Sequence, residues 1–172
     1  MAHDNLFEPV KMGAQTLKNR IIMAPLTRLR AVEPGDVPTA LAGEYYSQRA
    51  GAGLVITEAT QVSFQAKGYA GAPGIHTEDQ TVAWKVIVDN VHGKGGKIVA
   101  QLWHTGLVAH DSVQPEGKAP ISASDVDVGA RTSLRDSDNQ AIRVEATPPR
   151  PASLDEIKQV IKDFAHATKC AK

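Results

Sequence analysis

Polar and aromatic side chains collect where short apolar runs stop. Thr27 follows Arg20-Ile21-Ile22-Met23-Ala24-Pro25, while Glu58, Thr60 and Gln61 follow Leu54-Val55-Ile56-Thr57. Gln101, Trp103 and His104 close a third run over 97–103. Strand ends are where α/β folds keep their ligand sites. A buried amide such as that of Gln101 needs partners for its donors and its acceptor. Two readings stand: a ligand supplies those partners, or the neighbouring backbone does. Trp103 likewise reads either as one wall of a ligand site or as an ordinary core aromatic. His104 and His110 lie six apart with no third ligand evident, so no metal site is expected. Cys170, beside Lys169, reads as an incidental thiol.

The elements that must position these residues follow from the pattern. Two short extended pieces around Met12-Gly13 suggest a hairpin within the first 20 residues. The run ending at Pro25 predicts a first buried strand, because proline lacks a ladder donor. A helix is expected over 39–50, with Leu41 and Tyr45 on one face and Gly51 as its C-cap. Leu54 to Thr57 predicts a second strand. Thr77-Glu78-Asp79-Gln80 matches a capping box, and it opens a helix whose Trp84, Ile87, Val88 and Val91 form one apolar stripe. The third strand covers 97–103. An excursion over 105–152 shows no clear period, and so long a stretch inside a domain is usually functional or a small subdomain. Ser153-Leu154-Asp155-Glu156 then caps a last helix, with Ile157, Val160, Ile161, Phe164 and Thr168 along one face.

Composition narrows the class. Nineteen basic and 19 acidic side chains cancel, and 42% of the 172 residues are apolar, which excludes a disordered chain. Without net charge there is no broad footprint for nucleic acid or anionic lipid. No apolar run reaches the roughly 18 residues of a membrane span. The N-terminus shows no basic-then-apolar leader, and a single cysteine suits a reducing compartment. A cytoplasmic protein is expected.

Alternating strands and helices predict a parallel sheet with right-handed crossovers. A doubly wound nucleotide-binding sheet would place a glycine-rich turn after its first strand. Pro25-Leu26-Thr27-Arg28 stands there instead, and the glycine pair Gly51-Ala52-Gly53 precedes a strand. A (β/α)8 barrel, with its site on the loops after the strands, suits the polar strand ends better.

Five segments carry a resemblance that spacing alone does not. They are LFEPVKMGAQTLKNRIIMAPLTRLR (6–30), GLVITEATQVS (53–63), KGYAGAPGIHT (67–77), GGKIVAQLWHTG (95–106) and PRPASLDEI (149–157). Together, and in this order, they resemble the N-terminal part of the old yellow enzyme family, the FMN-dependent ene-reductases. The similarity is greatest to the bacterial branch of N-ethylmaleimide, pentaerythritol tetranitrate and glycerol trinitrate reductases. The resemblance implies the first three βα units of a TIM barrel and a following helix. Residues 1–172 would form a partial FMN-binding domain, with 1–20 as an N-terminal hairpin and 105–152 as the excursion after the third strand; FMN binding by this chain alone is expected to be weak or absent, because the family's phosphate contacts lie on later strands.

For the site, the resemblance implies that Pro25, Leu26 and Thr27 lie against the flavin, with Thr27 bonding its O4. Ala59 would approach the flavin's polar edge through its backbone, and Gln101 would bond the pyrimidine side. Tyr69 and Trp103 would wall the small-molecule substrate side. NADPH or NADH would be the reductant, and activated C=C bonds the acceptors, with nitro compounds and nitrate esters as alternatives. One departure occurs at Leu107, where relatives usually carry arginine after Trp-His-Thr-Gly.

An eight-stranded barrel takes about 250 residues. The resemblance therefore places the family's substrate-binding His/Asn pair and proton-donor Tyr beyond the last residue, and no catalytic residue is assigned here. Two readings follow. The chain is one part of an ene-reductase that needs the remaining barrel, or it is a non-catalytic partial barrel stabilised by another copy of itself.

Overall fold

The computed structural model describes residues 4–172; the first three residues of the 1–20 segment lie outside the described part. Strands β1 (Val10–Met12) and β2 (Gln15–Leu17) pair antiparallel around Gly13, whose φ of 56° suits glycine. The central sheet has three strands in the order β3-β4-β5, all parallel. They are β3 (Ile22–Met23), β4 (Leu54–Gln61) and β5 (Ile98–Trp103). The crossovers contain α1 (Ala40–Ser47) and α2 (Glu78–His92).

The core lies between these helices and one face of the sheet. Tyr46 and Ala50 from the α1 region, Val55 from β4 and Trp84, Ile87 and Val91 from α2 are all buried there. The predicted stripe of α2 is thus the face that packs. Its capping box is formed in both directions between Thr77 and Gln80. Met23, Ile98 and Leu102 pack against the same core. Their alternate neighbours Ile22, Val99, Gln101 and Trp103 therefore point to the opposite face. Ile22 and Val99 each keep 46% of their surface exposed, so the flanking strands are open there, while Leu54 beside Ile22 on the central strand is buried.

Two element boundaries differ from expectation. The first helix ends at Ser47 with Gln48 as its C-cap, not at Gly51. Arg49 and Ala50 instead bond three residues back, to Tyr46 and Ser47, which tightens the last turn. The second strand runs through Glu58 to Gln61 rather than stopping at Thr57. Its polar end is tolerated in a buried strand because Tyr46 pairs Glu58, Asp36 takes the Gln61 Nε2 donor, and the Thr57 and Thr60 hydroxyls donate to the Glu58 carbonyl. The ladder with β5 also shifts register between Ile56 and Ala59, an irregularity that re-aims the residues after it.

The excursion is not irregular. It contains β6 (Ile121–Ser122), the hairpin β7 (Arg131–Arg135) and β8 (Ala141–Glu145), and β9 (Arg150–Pro151), which pairs with β6. Its turn places Asn139 at a φ of 59°, which asparagine adopts more readily than most residues. Helix α3 (Leu154–Cys170) opens with the predicted Ser153–Glu156 capping box. Glu156 also takes a two-bonded contact from Arg150, at 3.0 and 2.5 Å. The predicted stripe of α3 is only partly used: Phe164 packs on the core, but Ile157 and Ile161 are 47% and 65% exposed.

Candidate functional site

A cleft of about 270 Å³ opens at the C-terminal ends of the strands, lined by Thr27, Leu29, Tyr69, Trp103, Ser133 and Arg143. Three residues singled out in the sequence therefore meet in one place. Thr27 comes from the loop after β3, Tyr69 from the loop after β4 and Trp103 from the end of β5. The rings of Tyr69 and Trp103 stack with centroids 5.7 Å apart and 17° between their planes. They form a stacked aromatic pair at one side of the cleft.

Pro25, Leu26, Ala59 and Gln101 do not line this cleft. Ala59 is buried and pairs with Gln101 across the β4–β5 ladder, just as Gln61 pairs with Trp103. Gln101 and Trp103, two apart on β5, share one face of the sheet. The backbone N–H of Gln101 donates to the Thr57 hydroxyl at 3.0 Å, but its side-chain amide makes no bond within the described residues. Of the two readings of Gln101, satisfaction by neighbouring backbone is therefore not what the geometry displays. The indole Nε1 of Trp103 is likewise without a partner among the described residues, and it is buried. Leu26 is 56% exposed on the loop between β3 and Thr27.

Backbone shape explains why Tyr69 sits where it does. A Cβ at Gly68 would lie 2.1 Å from the Val108 carbonyl oxygen, so only glycine fits against the excursion there. Gly71, at a φ of 78°, turns the chain back and accepts from Ala31 N–H at 2.9 Å. Ala70 N–H donates to Ser133 on β7 at 2.9 Å, and Thr132 donates to the Gly68 carbonyl. The Tyr69 loop is thus stitched to the hairpin that contributes Ser133 and Arg143.

Below the cleft lies a buried polar network. Lys67 Nζ donates to Asp36 and to Glu33 at 2.6 Å each, and Gln61 Nε2 donates to the other Asp36 oxygen at 2.7 Å. Burial works against the charge of Lys67, but the hydrogen bonds from Asp36 and Glu33 outweigh it and hold its pKa above the ordinary value. The pairing fixes the segment that leads into Tyr69. His104, next to Trp103, is bonded through both ring nitrogens, to Gln65 Oε1 at 2.5 Å and from Gly106 N–H at 3.0 Å. Burial lowers its pKa, which keeps it neutral in a structural role.

The sequence reading missed Leu29, Ser133 and Arg143 as cleft residues. A signal existed in the alternation of Ala141-Ile142-Arg143-Val144-Glu145 after a turn-forming Asp-Ser-Asp-Asn stretch. Which of its side chains reaches the cleft depends on how the hairpin folds back, and no local pattern encodes that.

Comparison with known proteins gives concordant results. The model of the NADH:flavin oxidoreductase / NADH oxidase family matches residues 5–172. The 12-oxophytodienoate reductase 1 of Oryza sativa subsp. japonica is 44% identical over 167 residues, covering 96% of this chain and 41% of that protein. The flavin oxidoreductase hxnT of Emericella nidulans is 41% identical over 170 residues, covering 96% and 42%. Among solved structures, morphinone reductase in complex with tetrahydroNAD superposes with a TM-score of 0.91 at 44% identity, over 97% of this chain and 46% of that one. The old yellow enzyme homologue from Zymomonas mobilis gives a TM-score of 0.88 at 41% identity, over 97% and 45%. The chain therefore spans less than half the length of the proteins it matches. Its three parallel strands, crossover helices and excursion are the opening part of their TIM barrel.

Proposed function

The chain belongs to the NADH:flavin oxidoreductase / NADH oxidase family, within it to the old yellow enzymes, and on that premise we propose that it forms the FMN- and substrate-facing wall of an ene-reductase. The observation that carries the proposal is the convergence of Thr27 with the stacked pair Tyr69 and Trp103 in one cleft. Beside it, Gln101 offers an uncommitted amide on the same face of the sheet.

These groups fit a flavin. A planar ring with alternating donors and acceptors suits a hydroxyl at Thr27 and an amide at Gln101. The indole Nε1 of Trp103 adds a donor without a partner among the described residues. Ala59, across the ladder from Gln101, brings a small side chain where a ring approaches backbone. Pro25 and Leu26 lead into the Thr27 turn, and the exposed Leu26 gives the ring an apolar contact. FMN, when bound, supplies the relay of hydride from NADPH or NADH to the β-carbon of an activated alkene. The chain's own part is to orient and exclude. Thr27 donates to a position where electron density builds on reduction, which tunes the transfer. Tyr69 and Trp103 confine a flat unsaturated substrate, or a nitro compound or nitrate ester, over the ring.

Arg143 and Ser133 extend the cleft with a cation and a hydroxyl, which suits acceptors carrying an oxygen-rich or anionic group. The exposed Ile22 and Val99 and the bare stripe of α3 suit cover by the remaining strands and helices of a barrel. Proton donation to the substrate belongs to that remainder. Residues 1–172 would thus act as a partial FMN-binding domain, with the hairpin near the start and the excursion as a cap over the cleft.

The test is NADPH-driven reduction of cyclohexenone by the purified chain, alone and mixed with the C-terminal barrel half of a family member. Turnover confined to the mixture, with a flavin absorbance band, supports the proposal. Turnover by the chain alone, or by neither sample, refutes it.

A further inference from the structure

Glu58 is 5% exposed on β4, facing α1 rather than the cleft. Tyr46, fully buried on α1, holds it twice. The hydroxyl donates to Glu58 Oε1 at 3.1 Å and accepts from the Glu58 N–H at 2.8 Å. The other carboxylate oxygen, Oε2, accepts from the backbone N–H of Arg28 at 3.0 Å. That N–H belongs to the peptide joining Thr27 to Arg28.

The loop needs such a hold. Leu29 has a φ of 54°, a conformation that a bulky L residue adopts only where its surroundings over-determine it. Arg135 grips the Leu29 carbonyl from the hairpin side at 2.7 Å, and the Arg28 guanidinium rests 4.2 Å from the Tyr45 ring centre. Glu58 supplies the contact on the sheet side. Burial raises the pKa of both Glu58 and Tyr46, and the raised tyrosine keeps the proton it must donate.

We infer that the Glu58–Tyr46 pair is a positioning device for Thr27: the tyrosine fixes the carboxylate, and the carboxylate fixes the peptide that carries Thr27 into the cleft. The consequence for flavin rests on the reading of Thr27 given above. The geometric step does not. Glu58 touches neither the cleft nor a reacting atom, so its role is positioning and not catalysis.

Amide hydrogen exchange of the full chain, followed by NMR, tests the hold itself. In Glu58→Ala the Arg28 amide is expected to exchange at least about tenfold faster, the loss of one charge-assisted bond. The amides of Ile87 and Val91 in α2 should be unchanged. Glu58→Gln, which keeps an acceptor oxygen, should restore most of the protection. Tyr46→Phe keeps the ring packing and should give an intermediate effect, so it carries the test if Glu58→Ala does not fold. Arg28 protection unchanged from the unsubstituted chain in Glu58→Ala, or in Tyr46→Phe where the alanine variant does not fold, overturns the inference, as does acceleration spread evenly over α2.

FMN titration of the chain mixed with the C-terminal barrel half of a family member, read by quenching of flavin fluorescence, separates the two steps. Thr27→Ala and Glu58→Ala should each weaken binding, and the double variant should bind no more weakly than Thr27→Ala. Additive losses overturn action through Thr27. If Thr27→Ala leaves FMN affinity unchanged, or the unsubstituted mixture binds no FMN, the flavin reading fails for this chain. The response of Arg28 exchange still decides the positioning step.

Discussion

Removal of the Asp36 side chain should destabilise the chain by about 3 kcal/mol. Asp36 is 2% exposed and accepts from both Lys67 and Gln61. Its loss leaves the ammonium of Lys67, only 12% exposed, with Glu33 alone, and strips Gln61 Nε2 of its partner. Breaking a buried ion pair by deleting one member costs about 3–5 kcal/mol, and an orphaned buried amide about 1–3. The retained Glu33 contact at 2.6 Å and the 26% exposure of that carboxylate lower the first figure. Backbone strain is a separate cost: Asp36 has a φ of 54°, where alanine loses about 1–2 kcal/mol. Asp36→Gly is therefore the informative variant, because it removes the side chain and relaxes the backbone together. Asp36→Asn, which still accepts from Gln61, should cost about 1–2 kcal/mol. Urea unfolding followed by tryptophan fluorescence measures both. A loss below about 1 kcal/mol for Asp36→Gly refutes the claim that this network holds the segment leading to Tyr69.

Three further outcomes follow from the same geometry. The pKa of Glu156 is held down at about 2, chiefly by the Arg150 side chain and then by the Ser153 N–H. Because that lies below the unfolded value, its contribution is complete above about pH 5 and fades as pH falls toward about 2. The stability gap between the unsubstituted chain and Glu156→Gln, measured by urea unfolding, should therefore close over that window; a constant gap contradicts the assignment. Ile161→Asp, at a position 65% exposed, should change unfolding free energy by no more than about 0.5 kcal/mol while lowering any self-association seen by light scattering. A loss of about 2 kcal/mol or more would mean that α3 is packed there. Tyr69→Ala removes a stacked aromatic pair worth about 0.5–1.5 kcal/mol beyond its buried area, and near-ultraviolet circular dichroism should show the Trp103 signal weaken. An unaltered spectrum would disprove the stack.

Parts of this architecture were legible because local chemistry determines them. Thr77 with Gln80 and Ser153 with Glu156 announce helix starts, and both boxes are formed. Trp84, Ile87 and Val91 announce a packed face, and all three are buried. The polar end of β4 was not legible. Glu58, Thr60 and Gln61 look like loop residues until Tyr46 and Asp36, 12 and 25 positions away in the chain, are seen to satisfy two of them. Long-range satisfaction of a buried polar group leaves no local pattern. The hairpin of the excursion failed for a related reason. Its alternation is short, half of it faces solvent, and its anchors, Gly68 and Ala70, lie more than 60 positions upstream.

The cleft is thus held by two kinds of support with different physical characters. On the strand side, Thr27 depends on buried carboxylate chemistry at Glu58 and on a left-handed Leu29. On the loop side, Tyr69 depends on Lys67 and Asp36 below it and on backbone bonds to β7 above. The first support is an acceptor whose loss frees one peptide; the second is an ion pair whose loss frees a whole loop. Substitutions at Glu58 should therefore be read out first at Arg28, whose amide it holds. Those at Asp36 should appear in both global stability and the aromatic stack. An Asp36 variant that disturbs the Tyr69–Trp103 signal without lowering stability would break this division, because the loop could then move independently of its ion pair.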